Sequence, residues 1–213
     1  MHQFAIEFVI FFRSCPFGPK TTFLVAILAF LGACESDTAP EEPAEPAEPA
    51  IAPIDCIEGG HLVVQTFGAI SSDIDWSEPD IQCEGMQRPN EKGARLRFSG
   101  EIDSADGARP LAFILSIPDL EQGATGNELA TRVTLIEEES ARFFSTRESD
   151  ICWSNITEQL PLVDSEGTVI EHFYRVRGLT YCVAPIAELN GAASVTLSDL
   201  EFTGQLRWAK QNK

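Results

Sequence analysis

Basic side chains are scarce in this chain. Its 213 residues carry 15 Lys and Arg against 33 Asp and Glu, a formal net charge of −18. A surface this acidic repels the phosphate backbone, which excludes nucleic acid as a partner. Histidine is scarcer still. Beyond residue 33 only His61 and His172 occur. No GxSxG elbow, Ser-x-x-Lys, HExxH or P-loop is present, so the usual nucleophile, zincin and nucleotide signatures are missing. No CxxC or HxxxH spacing offers a zinc site. Long stretches of 3.6-residue periodicity are absent too, so crossover helices are not expected and neither is a parallel sheet.

Long apolar runs are also missing. The clearest, residues 21–31 (TTFLVAILAFL), has eleven uncharged residues, whereas a spanning helix needs about 20. It follows Arg13 and Lys20 and ends in Leu31-Gly32-Ala33-Cys34. A positive segment, a short apolar core and small residues at a cleavage point make up a secretory signal. The whole constellation resembles the bacterial prolipoprotein signal, and Leu31-Gly32-Ala33-Cys34 matches its lipobox at every position. The resemblance implies that Cys34 becomes the first mature residue and carries acyl chains. Two or more such chains anchor a protein stably without a transmembrane helix. Residue 35 is Glu and not the Asp that marks inner-membrane retention in enteric-type sorting, so the resemblance implies the outer membrane. A cleaved signal with an incidental cysteine and a retained anchor are the other two readings.

After Cys34 come Glu35, Asp37, Glu41, Glu42, Glu45 and Glu48, interleaved with Pro40, Pro43, Pro46, Pro49 and Pro53, with no Lys or Arg before residue 55. This composition cannot bury a core. It reads as a spacer biased to polyproline II, reaching roughly 60 Å if fully extended at about 3.1 Å per residue. The expected organisation is therefore a signal over 1–33, a lipidated Cys34 with its linker over 34–54, and one domain over 55–213.

Four cysteines remain in that domain, Cys56, Cys83, Cys152 and Cys182. An even number in an exported chain reads as two disulfides. Cys56–Cys83 and Cys152–Cys182 are favoured because each closes a short local loop, which stabilises by roughly 3 kcal/mol in the chain-entropy model.

Period-two alternation dominates the domain. In residues 94–102, Leu96, Phe98, Gly100 and Ile102 share one face while Arg95, Arg97, Ser99 and Glu101 share the other. An Asp-Gly turn separates this run from residues 110–118 (PLAFILSIP), which are apolar on both faces, as a central strand is. Further strands are expected at 61–67, 131–137, 141–146, 151–156, 169–176, 179–184, 194–197 and 200–208. Single helical turns are expected within 118–130 and 185–189. The fold class expected is all-β, an antiparallel two-sheet sandwich, with a closed barrel as the alternative.

Candidate chemistry is thin. Asp73, Asp75, Ser77 and Glu84 match EF-hand ligand spacing, but Glu78 and Pro79 occupy the positions of the sharp turn. A looser calcium site on Asp73, Asp75, Glu78 and Asp80 is the remaining metal reading, against a plain acidic loop tied down by Cys83. Trp76 in that loop is the candidate sugar-stacking ring. Trp153 is expected to pack on the neighbouring disulfide. Glu137-Glu138-Glu139 reads as a solvated turn, and one of Phe143 and Phe144 should face the core. His172 is expected to share a strand face with Ile170 and Tyr174. No catalytic residue is assigned and no cofactor beyond the calcium candidate. The function expected is a membrane-anchored envelope lipoprotein whose domain binds an envelope protein or a glycan, or serves a structural role. The alternatives are an extracytoplasmic hydrolase, which requires His61, His172 or paired carboxylates to meet in one cleft, and a calcium- or glycan-binding module.

Overall fold

The computed structural model describes residues 55–89, 92–104, 107–147 and 150–210. Cys34, the signal, the linker and Asp106 of the expected Asp-Gly turn lie outside them. Thirteen strands follow one another: β1 (His61–Gly68), β2 (Ser72–Ser77), β3 (Gln82–Gln87), β4 (Ala94–Ser104), β5 (Gly107–Ile117), β6 (Gly126–Ala130), β7 (Arg132–Glu137), β8 (Arg142–Ser145), β9 (Cys152–Val163), β10 (Val169–Cys182), β11 (Ile186–Ala187), β12 (Ser194–Leu197) and β13 (Leu200–Arg207). The described residues contain no helix. The strands form one mixed sheet shaped as a half-barrel.

Within that sheet the pairings form two antiparallel runs. One runs β2, β1, then β12 with β13, then β10, β9 and β6. The other runs β3, β4, β5, β7, β8. A single parallel pairing of Arg207 with Met86 links β13 to β3. At the far end an isolated bridge joins Phe144 to Glu188, and Leu189 N donates to Phe143 O at 2.8 Å.

Alternation decides which side chains meet. Leu62, Val64 and Thr66 of β1 are buried while Gln65 and Phe67 are exposed. In β4, Ala94, Leu96, Phe98 and Ile102 point inward. Leu111 through Leu115 are all buried, as the central position of β5 between β4 and β7 requires. The inner faces of the two runs touch through aromatic pairs. Phe98 and Phe202 stand 5.4 Å apart between centroids, and Trp76 meets Phe113 edge-on at 5.8 Å. Glycine makes two of these contacts possible. A Cβ on Gly204 would lie 2.7 Å from the Phe98 ring, and one on Gly100 would lie 2.7 Å from the Trp76 indole. Of the neighbouring phenylalanines, Phe144 is fully buried and Phe143 is exposed.

Both expected disulfides form, Cys56–Cys83 and Cys152–Cys182. The second joins residues directly opposite each other on β9 and β10. Trp153 packs one pair further along, stacked on Tyr181 at 5.8 Å.

Three expectations change. Neither helical turn forms. Residues 118–130 end in β6, where Glu128 N donates to Asn155 Oδ1 at 2.8 Å, and residues 185–189 contain β11. In both places pairing to a neighbouring strand outweighs local turn preference. Residues 169–182 make one long strand, not two. Gly178 does not break it, since a Cβ there would meet Asn155 O at 2.8 Å and Phe202 at 2.9 Å, so the glycine serves close packing. The acidic segment expected as a loop supplies β2 and β3.

The core aromatic contacts give a direct test. Phe98→Ala should cost about 3–5 kcal/mol in urea unfolding. Phe143→Ala should stay within about 0.5 kcal/mol, as an exposed substitution does.

Candidate functional site

The segment Asp73–Asp80 begins on β2, where Ile74 and Trp76 face the core at 3% and 5% exposure. Alternation therefore turns Asp73 and Asp75 outward, and both are exposed. Trp76 is thus a core residue and not an exposed stacking ring. Its Nε1 donates to Glu101 O at 2.7 Å, Phe113 covers its edge and Gly100 lies against its indole. After β2 the chain turns, with Asp80 N donating to Ser77 O at 2.8 Å. Asp75 and Asp80 then face a cleft of about 570 Å³. Asp73 and Glu78 do not line it. Among the described residues no group of three or more His, Cys, Asp or Glu is gathered closely enough to hold a metal ion.

The opposite wall of the cleft is the outer face of β4 and the turn after β7. Arg97 lies there with Nη2 2.6 Å from Glu138 Oε1 and Nη1 donating to Ser99 Oγ at 2.9 Å. Glu101 also lines the wall. The cleft therefore gathers Asp75, Asp80, Glu101 and Glu138 around one guanidinium, acceptors that can hydrogen-bond a polar ligand.

The residues that sequence reasoning missed lie one strand away. Glu137 was expected in a solvated turn, yet its side chain is 2% exposed. It ends the inward series Val133, Leu135, Glu137 of β7. Arg109 of β5 reaches it at 2.6 Å and Arg142 of β8 at 3.6 Å. Ser140 Oγ also donates to it. Arg142 in turn donates from Nε to Glu188 Oε1 at 2.8 Å, and its guanidinium lies 5.0 Å from the Phe144 ring centre. The hydrogen bond from Arg142 holds the Glu188 carboxyl below its ordinary range, against a smaller opposing effect of desolvation. The same bond raises Arg142. These charges sit beside the Phe144–Glu188 bridge, so an ion-pair chain fastens β8 to the segment after β11. The legible signal was the period-two register, which puts Glu137 in phase with Val133 and Leu135.

His61 and His172 line different clefts. His61 Nδ1 lies 3.4 Å from Gly59 O. His172 does not alternate with Ile170 and Tyr174 as expected, because a register shift between Val169 and Tyr174 inserts a bulge around it. No family model, no curated protein and no solved structure matches the chain.

Glu137→Gln should lower stability by about 3 kcal/mol, as it leaves two guanidinium groups facing a neutral amide. Glu138→Gln, whose carboxylate is half exposed, should cost less than about 1 kcal/mol. Urea titrations of both variants check this. The Glu188 bond carries a pH dependence of defined sign. Its folded carboxyl titrates below the ordinary 4.5, so as pH falls the unfolded chain takes up the proton first. The stabilisation is complete at neutral pH and declines as pH drops below that value. The urea midpoint of Glu188→Gln should therefore fall less steeply on acidification than that of the parent chain.

Proposed function

We propose that this chain is an exported, lipid-anchored envelope protein whose β-rich domain binds a partner and catalyses no reaction. The observation that carries the reading is the pairing of all four domain cysteines, Cys56–Cys83 and Cys152–Cys182. Structural disulfides belong to oxidising compartments, and these cysteines follow a segment that resembles a lipoprotein signal. In this reading Cys34 bears the acyl chains, the acidic proline-rich linker is the tether, and the domain meets an envelope protein or a glycan at the outer membrane. The placement of His61 and His172 in separate clefts supports binding over a histidine-based hydrolase. The aromatic contacts between the two antiparallel runs support a finer reading of the fold, in which those runs are the two layers of a sandwich.

The test is an intact mass of the protein extracted from its own membranes and alkylated without reduction. The expected species begins at Cys34, carries acyl chains and leaves Cys56, Cys83, Cys152 and Cys182 unmodified. A bare Cys34, or alkylation of the four domain thiols, sinks the reading.

A further inference from the structure

The bulge in β10 has a structure of its own. Val169 pairs with Val163, and the next pairing on that side is Tyr174 with Pro161, so Ile170 through Phe173 have no partner on β9, while Phe173 pairs with Arg207 of β13. His172 sits inside this bulge with φ at 67°. A residue with a Cβ adopts that left-handed conformation at a free-energy cost and keeps it only where its surroundings enforce it. The enforcement is visible. Trp208 N donates to His172 O at 2.9 Å. Trp208 is itself buried, with Nε1 donating to Gln159 Oε1 at 2.7 Å. Ala209 N donates to Gln87 Oε1 at 3.1 Å. The segment after β13 is thereby tied to β10 on one side and to β3 on the other.

Between these elements lies a groove of about 490 Å³, within the range of roughly 300–1,000 Å³ typical of small-molecule sites. Its apolar lining is Met86, Phe173 and Trp208, and its cationic lining is Arg207 and Lys210, with His172 beside them. The Arg207 guanidinium lies 5.9 Å from the centre of the Phe173 ring. Residues 55–213 carry twice as many acidic as basic side chains, so two cations and an imidazole around one apolar groove are a local reversal of the molecule's field. One carboxylate lies on the rim. Glu171 is exposed, with Oε2 4.0 Å from His172 Nε2, where it opposes a ligand of high negative charge.

We propose that this groove binds an amphiphilic anion, a single carboxylate or phosphate monoester on an apolar body. Arg207 and Lys210 meet the anionic head. Met86 and Phe173 cover the body. The left-handed backbone at His172 holds the imidazole in this groove beside Arg207 and Lys210. The inference rests on this groove alone and does not depend on lipidation at Cys34.

Calorimetric titration of the full chain with octanoate, octyl phosphate, octanol and inorganic phosphate, all below micelle-forming concentrations, tests it. Saturable binding of octanoate or octyl phosphate is expected, at least about tenfold tighter than octanol or phosphate alone. The tighter of the two names the head group. Arg207→Gln with Lys210→Gln should weaken binding about tenfold without lowering the melting temperature. His172→Gly separates a ligand role from a structural one, since it should raise the melting temperature through relief of the backbone while weakening binding. Equal binding of octanol would mean apolar adsorption only and would overturn the proposal. So would the absence of saturable binding, or an unchanged affinity in His172→Gly.

Discussion

The fold depends on how closely the inward side chains of β13 and β4 approach one another. β13 pairs with β1 over Glu201–Thr203 and with β10 along its whole length, and it touches β3 at Arg207. Its inward residues Leu200, Phe202 and Leu206 are fully buried. Between them Gly204 leaves the space that Phe98 fills. Close packing of this kind has little tolerance for added volume, so the Phe98 ring keeps this position only while residue 204 lacks a side chain. Trp76 against Gly100 repeats the arrangement from β2 to β4.

Where hydrophobic packing runs out, charge and covalent bonds take over. At one end of the inner face the apolar series of β7 gives way to Glu137, and two arginines and a second glutamate complete a chain of ion pairs reaching the segment after β11. A buried carboxylate is tolerated there because both guanidinium groups remain about one-third exposed and share the desolvation cost with water. Arg109 Nε is buried and finds no hydrogen-bond partner among the described residues, which marks this end as the less completely satisfied one. Elsewhere the two disulfides add closure to a core that already spans the domain.

Much of this was legible in the sequence, and the failures have physical causes. The alternation of Leu96, Phe98 and Ile102, the doubly apolar centre of β5 and the burial of one of the Phe143–Phe144 pair follow from the two-residue repeat alone. The disulfide pairing followed from local spacing. Trp76 was misread because Asp73, Asp75 and Glu78 made its surroundings look like a loop, although the same letters alternate correctly for a strand. Glu137 was misread because a run of three acids suggests solvent, while its burial depends on Arg109, which lies 28 residues away in sequence. The bulge at His172 leaves no trace in periodicity, since inserted residues simply shift the register.

The Cys56–Cys83 bond has a mechanical consequence. Asp55, the first described residue, bridges to Gln82, and the next residue is already bonded covalently to β3. A pull on the chain ahead of Asp55 is therefore passed at once to Cys83 near the start of β3. It cannot peel the first strands away one hydrogen bond at a time. The load falls on the ladder between β3 and β4, which holds six residue pairs from Gln82–Ser99 to Gln87–Ala94.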